Sequence, residues 1–336
     1  MKNRVRLHFH PIERAVCGFA WKWSLTLFFT LVTAGCISIS LFPQPQPLRE
    51  KTVQGTAADK ILMIDVSGII AEKPGNGGAL GSSEDIVARV KEELTMAAED
   101  GQIKALLLRI NSPGGTVTAS DVIYHELTTF KARRKIPIVA VIMDVGASGG
   151  YYVASAADRI VVHPTSVTGS VGVIMLRVNA EGLLQKIGVE TGAIKSGAKK
   201  DIGSPFRPMS EEEREIFQAM INGFQARFLE VVTRARSGLT PERLALISDG
   251  RVLTGPQAVH LGLADQTGYM DDGIAAARQL AGIADARVII YARPGAYKHN
   301  IYSDSSGPST LESLANLDVM GLVRGGTPQF LYLWMP

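Results

Sequence analysis

The sequence predicts an α/β protein with a mostly parallel sheet, preceded by one N-terminal transmembrane helix. Three observations predict it. From residue 61 onward, short apolar runs of strand length alternate with longer helical patterns, as in a parallel sheet covered on both faces. Residues 23–42 carry no charge, and a helix of that length spans ~30 Å, the thickness of a bilayer core. No 20–50-residue repeat is visible, which argues against a solenoid or propeller.

Lys2, Arg4, Arg6, Arg14 and Lys22 precede the apolar segment, against the single acid Glu13. The positive-inside rule keeps that end cytoplasmic and exports the bulk of the chain. A cleaved signal peptide is a rival reading, but its apolar region should be shorter. Lipid attachment at Cys36 is another, since Thr33-Ala34-Gly35-Cys36 resembles a lipid-attachment box with Thr33 where a large aliphatic residue belongs. The organisation expected is a cytoplasmic segment over 1–22, the span over 23–42, a proline-interrupted linker over 43–59, a folded body over 60–292 and a C-terminal extension over 293–336.

The formal net charge of +3 and the lack of a basic stripe exclude a nucleic-acid partner. Cys17 and Cys36 are the only cysteines, so the body has no disulfide framework, no cysteine zinc site and no thiol nucleophile. Neither G-x-x-x-x-G-K-[ST] nor H-E-x-x-H occurs, and neither cofactor nor metal is expected.

In chain order, Ile61–Val66 is a buried strand. A helix capped by Ser82 or Ser83 runs to about Ala98, with Ile86, Val90 and Leu94 on one face. Ala105–Ile110 is a strand, Val117 to about Ala132 a helix, Pro137–Met143 a strand, Gly149–Ala157 a short helix and Arg159–His163 a strand. Ser210-Glu211-Glu212-Glu213 opens the longest helix, to about Ala235, with acids in its first turn. Shorter helices follow near 241–247, 256–261 and 273–281, then a last strand, Arg287–Tyr291. Residues 303–310 read as a linker. The apolar tail 330–336 has two possible seats: against the body or a neighbouring subunit, or in a substrate groove.

Two glycine motifs stand where strands end: Asn111-Ser112-Pro113-Gly114-Gly115 and Gly146-Ala147-Ser148-Gly149-Gly150. Ligands of open parallel sheets collect at the carboxyl ends of strands. A serine between glycines at such a turn can present its hydroxyl beside backbone N–H groups, which is what acyl transfer needs. A serine nucleophile also needs a base. His163 is the one tempting histidine, although a polar residue at a strand end is the simpler reading. A lysine can serve instead when it is neutral, and Lys195, Lys199 and Lys200 are candidates that composition cannot separate.

The run from Asn111 to Pro205 closely resembles the signal peptide peptidase A family in its short, single-repeat bacterial form. The matching residues are N-S-P-G-G at 111–115, D-V-G-A-S-G-G-Y-Y at 144–152, T-G-S-V-G-V at 168–173 and K-S-G-A-K-K-D at 195–201, with D-G-R-V-L-T-G at 249–255. The likeness covers roughly residues 60–290. It implies the fold shared by Clp protease and crotonase, so that the body over 60–292 is a peptidase domain. It implies Ser148 as nucleophile, Lys200 as general base, and Ser170 as a residue that hydrogen-bonds the base. Gly114 or Gly115, with the N–H of Gly149, would form the oxyanion hole. Lys199 stands where the family has tyrosine. The resemblance further implies a homo-oligomeric ring, with serine and lysine from neighbouring subunits, on the periplasmic side of a bacterial inner membrane. The substrates implied are signal peptides left in the membrane after release from preproteins, and other apolar peptides. The competing readings are a crotonase-like acyl-CoA enzyme and an inactive membrane scaffold.

Overall fold

The computed structural model describes residues 46–72, 85–294, 299–303 and 329–335. The predicted span at 23–42, both cysteines, Ser82, Ser83 and most of the linker at 303–310 lie outside the described residues. Among the described residues no helix is long and apolar enough to cross a membrane.

The chain forms an α/β fold with a mostly parallel sheet. Its elements run β1 (Arg49–Gln54), β2 (Lys60–Ile70), α1 (Ile86–Glu99), β3 (Ile103–Thr116), α2 (Val117–Arg134), β4 (Ile138–Ala147), α3 (Gly149–Ala154), β5 (Arg159–Val162), β6 (Val167–Gly169) and β7 (Ile174–Met175). They continue α4 (Glu181–Lys186), α5 (Glu211–Ala235), α6 (Pro241–Ile247), β8 (Val252–Thr254), α7 (Gly255–Leu261), β9 (Gln266–Thr267), α8 (Met270–Ala281), β10 (Arg287–Ala292) and β11 (Phe330–Leu333). The main path is β1-β10-β2-β3-β4-β5-β9. Only the edge pair β1·β10 on that path is antiparallel.

Side chains alternate across a strand, and both faces of this sheet are buried. Leu62, Ile64, Leu106, Leu108, Ala140 and Ile142 join one core with α1, α2 and α3. Their sequence neighbours Ile61, Met63, Leu107, Val139 and Val141 join a second core beneath α8. This two-sided burial explains why the central strands read as unbroken apolar runs rather than alternating ones.

Several boundaries differ from the sequence reading. Asp85 caps α1, its side chain accepting from the N–H of Val87 at 2.8 Å. Residues 49–54, within the stretch read as linker, form β1. Only Val53 of that strand is buried, and so polar an edge strand carries little apolar signal. Strand β3 runs through the glycine motif to Thr116, because Gly114 and Gly115 pair with Ile69 and Ile70 of β2. Helix α3 stops at Ala154, three residues early. The capping box of α5 is present, with Ser210 and Glu213 exchanging backbone bonds.

Candidate active site

Strand β4 delivers Ser148 at its carboxyl end. The parallel neighbour β6 pairs Gly169 with Ala147, and the N–H of Ser148 donates to the Gly169 carbonyl at 2.8 Å. Ser148 then takes φ 52°, ψ −116°, a backbone region that costs most side chains energy and is held only by surrounding structure. The residue is 1% exposed, and its Oγ has no hydrogen-bond partner among the described residues. A buried hydroxyl without a partner is uncommon and calls for a reason.

Ser170 repeats the geometry one strand over. It follows β6 directly, has φ 50°, is buried, and donates its N–H to the Arg251 carbonyl at 2.7 Å. The two serines predicted to act together therefore sit at adjacent strand ends.

The glycine motif of β3 approaches from the other side. Gly114 has φ 106°, and a Cβ there would lie 1.9 Å from the Tyr332 carbonyl oxygen and 2.7 Å from the Gly149 nitrogen. A Cβ on Gly149 would lie 2.5 Å from Ser120 Oγ and 3.0 Å from that same Tyr332 oxygen. Only glycine permits so close an approach. Gly114, Gly149 and a peptide carbonyl thus converge beside Ser148.

That carbonyl belongs to the apolar tail. Strand β11 lies antiparallel to the motif, with Leu331 opposite Thr116, Tyr332 opposite Gly115 and Leu333 opposite Gly114. The N–H of Trp334 donates to the Pro113 carbonyl at 2.9 Å. Its other edge pairs with β7, Phe330 opposite Met175 and Leu331 opposite Ile174. The tail is therefore docked on the body, as an extended strand alongside the predicted catalytic motif.

Sequence reasoning missed the pocket that holds the tail. The Tyr332 ring is fully buried, stacked on Tyr152 at 5.1 Å and 4.7 Å from Phe228. Its hydroxyl donates to the Phe224 carbonyl at 2.7 Å. Tyr152 is held from behind by Asp121, which accepts its hydroxyl and is in turn bound by Arg227 at 3.0 Å. Burial first, then the Asp121 hydrogen bond, pushes the Tyr152 phenol well above its usual range. It stays a neutral donor. Phe330 packs near Phe224 at 5.1 Å. Y-Y at 151–152 stood in the sequence, but nothing local revealed which way the rings point.

Of the candidate bases, His163 is engaged elsewhere and does not bond Ser148: its Nδ1 contacts Thr165 Oγ1 at 2.9 Å and its ring lies against Tyr269. The three lysines separate by their partners. Lys195 pairs with Asp201 at 2.6 Å, and Lys199 pairs with Glu212. Lys200 is exposed, and its ammonium has no ion-pair partner among the described residues. No bond joins Lys200 to Ser148 within one chain.

The profile of peptidase family S49 matches residues 131–284, and that of Clp protease matches residues 80–168. A candidate signal peptide peptidase SppA of Enterococcus faecium is 34% identical over 75% of this chain and 72% of its own length. The serine protease SPPA of Arabidopsis thaliana chloroplasts is 34% identical over 67% of this chain. Protease 4 of Salmonella typhi is 33% identical over 79% of it. The chain spans only 33% and 39% of those two longer relatives. With these matches added to an α/β fold whose glycine motifs meet at one strand end, the chain belongs to peptidase family S49 and is a serine peptidase.

Proposed function

We propose that the chain is a membrane-anchored endopeptidase that degrades signal peptides and other apolar peptides through a Ser148–Lys200 dyad. The seating of an extended apolar strand between β3 and β7 carries this reading. Strand addition of this kind gives affinity through main-chain bonds and selectivity through alternate side-chain pockets. In the register of the tail, the carbonyl that meets Gly114 and Gly149 marks where the scissile carbonyl lies. Ser148 Oγ attacks that carbon while neutral Lys200 takes the hydroxyl proton. The oxyanion is stabilised by the N–H of Gly149 with that of Gly114 or Gly115. The proton passes to the leaving amine, and water then hydrolyses the acyl-enzyme. Ser170 orients the base.

Because Lys200 is exposed and unbonded to Ser148 in one chain, the dyad is closed by a neighbouring subunit of a homo-oligomeric ring. Apolar side chains exposed around this region, among them Leu183, Ile187, Ile194 and Phe206, suit a subunit contact. The apolar segment 23–42 anchors the assembly with its catalytic bodies on the periplasmic face of a bacterial inner membrane. The test is complementation. Full-length Ser148→Ala and Lys200→Ala chains should each leave a synthetic signal peptide intact. Co-expressed, they should recover a measurable fraction of wild-type turnover, because some boundaries pair an intact Ser148 with an intact Lys200. A verified mixed oligomer without activity would place the dyad within one chain.

The tail then acts as a tethered competitor. Deleting residues 328–336 should lower the apparent KM for a small apolar peptide by about tenfold, since substrate no longer binds only the fraction of molecules with an open groove. A synthetic tail peptide should compete with substrate. Loss of the oligomer together with lower activity would make β11 a purely structural strand.

A further inference from the structure

The loop that carries Lys200 is fastened to α5 by two side chains, Lys199 on Glu212 and Arg207 on Glu213. Arg207 reaches two carboxylates at once. Its Nε and Nη2 bind Asp201 at 2.9 and 2.8 Å, and its Nη1 binds Glu213 Oε2 at 2.9 Å. Glu213 is only 2% exposed and also accepts the N–H of Ser210, the cap of α5. The guanidinium thereby ties the residue next to Lys200 to the first turn of the longest helix. Isolated surface ion pairs contribute little, but a forked arginine within a network that includes a buried carboxylate is the exception.

The same arrangement disposes of the charges around the lysine. The ion pairs of this loop join Lys195, Lys199, Asp201 and Arg207 of the loop itself with Glu212 and Glu213 of α5, and Glu211 precedes them in the same helical turn. Arg177 adds a contact to the Arg207 carbonyl. Asp201 is engaged by Arg207 and Lys195, Glu212 by Lys199, Glu213 by Arg207 and Glu211 by Arg214. The hydrogen bonds from Arg207, then those from Lys195, hold the Asp201 carboxyl well below the usual carboxylate range. The Arg207 bonds hold Glu213 down to about 2. Each of these acids is thus paired with a cation other than Lys200.

We propose that Arg207 is a positioning residue that fixes the Lys200 loop on α5 and keeps Asp201 from forming an ion pair with Lys200. The inference rests on the Ser148–Lys200 reading. Without Arg207, Asp201 keeps only its Lys195 partner. An opposite charge within ~4–6 Å favours the protonated form of an amine by ~1–3 pH units, so a partly released Asp201, next in the chain to Lys200, would oppose the base.

The test uses the full-length protein and the pH dependence of kcat/KM on an apolar peptide. Activity of the wild type should rise with pH as the base loses its proton. Arg207→Ala should lower the plateau about tenfold and move the rising limb upward by ~1 pH unit. Adding Asp201→Asn to Arg207→Ala should return the limb to its wild-type position without restoring the plateau. Arg207→Lys keeps a charge but not the fork. It should hold the limb near wild type with a reduced plateau, which also covers the case in which Arg207→Ala fails to fold. An unmoved limb in folded Arg207→Ala, or a displaced limb that Asp201→Asn does not return, overturns the proposal. Lys200→Ala separates the two levels: activity retained in that variant sinks the dyad reading, whereas an inactive Lys200→Ala with an unmoved Arg207→Ala limb sinks this one alone.

Discussion

Replacing Ser148 by alanine should abolish turnover of apolar peptides, a loss of at least ~10⁴-fold, on the pattern of serine nucleophiles that act as a unit with their base. The fold should survive. The change removes one oxygen whose hydrogen bonding is unsatisfied among the described residues, so no partner is stranded. Alanine meets the same backbone strain at φ 52° as serine does. The expected Tm therefore lies within about 3 °C of wild type, the range of a substitution that leaves no cavity and breaks no network. Labelling by a fluorophosphonate should disappear with activity. A variant that still turns over peptide, or still takes the label, removes Ser148 from the mechanism.

The second large effect discriminates between adjacent lysines. Lys200→Ala should be as inactive as Ser148→Ala, at least ~10⁴-fold down, because in the proposed dyad the attacking hydroxyl loses its proton acceptor. Lys199→Ala should keep activity within about fivefold of wild type. Lys199 already pairs with the exposed Glu212, and surface pairs of this kind contribute little. Assaying both on one peptide across pH settles the register. An inactive Lys199→Ala beside a working Lys200→Ala would shift the base by one residue.

That discrimination shows what local sequence conveys and what it does not. Three lysines within six residues are chemically equivalent on paper. What separates them is that Lys195 meets Asp201 and Lys199 meets Glu212, while Lys200 meets no acid among the described residues, and Glu212 belongs to a helix that the sequence could predict but not place. The central strands were legible because burial on both faces produces unbroken apolar runs, and α5 was legible from its cap and acids. The course of β3 was not. Pro113-Gly114-Gly115 carries a strong turn signal, yet it is extended, because β2 pairs with it on one side and β11, from more than 200 residues further on, on the other. A pairing so distant leaves no periodicity in either segment. The aromatic seat of Tyr332 escaped notice for the same reason: Tyr152, Phe224 and Phe228 meet only once α3 and α5 are packed.

The place of β11 between β3 and β7 has a colloidal consequence as well. Take the tail away and two strands face a gap with unpaired backbone N–H and C=O groups, rimmed by aromatic rings. An exposed edge of this kind is a template for any extended segment that drifts past, including the tail of another molecule. A chain shortened before Phe330 should therefore be harder to keep monodisperse than the intact one, and its clumping should subside when a short apolar peptide is supplied to fill the gap. On this view the last strand works as a solubility device, keeping a surface made for strands from collecting the wrong ones.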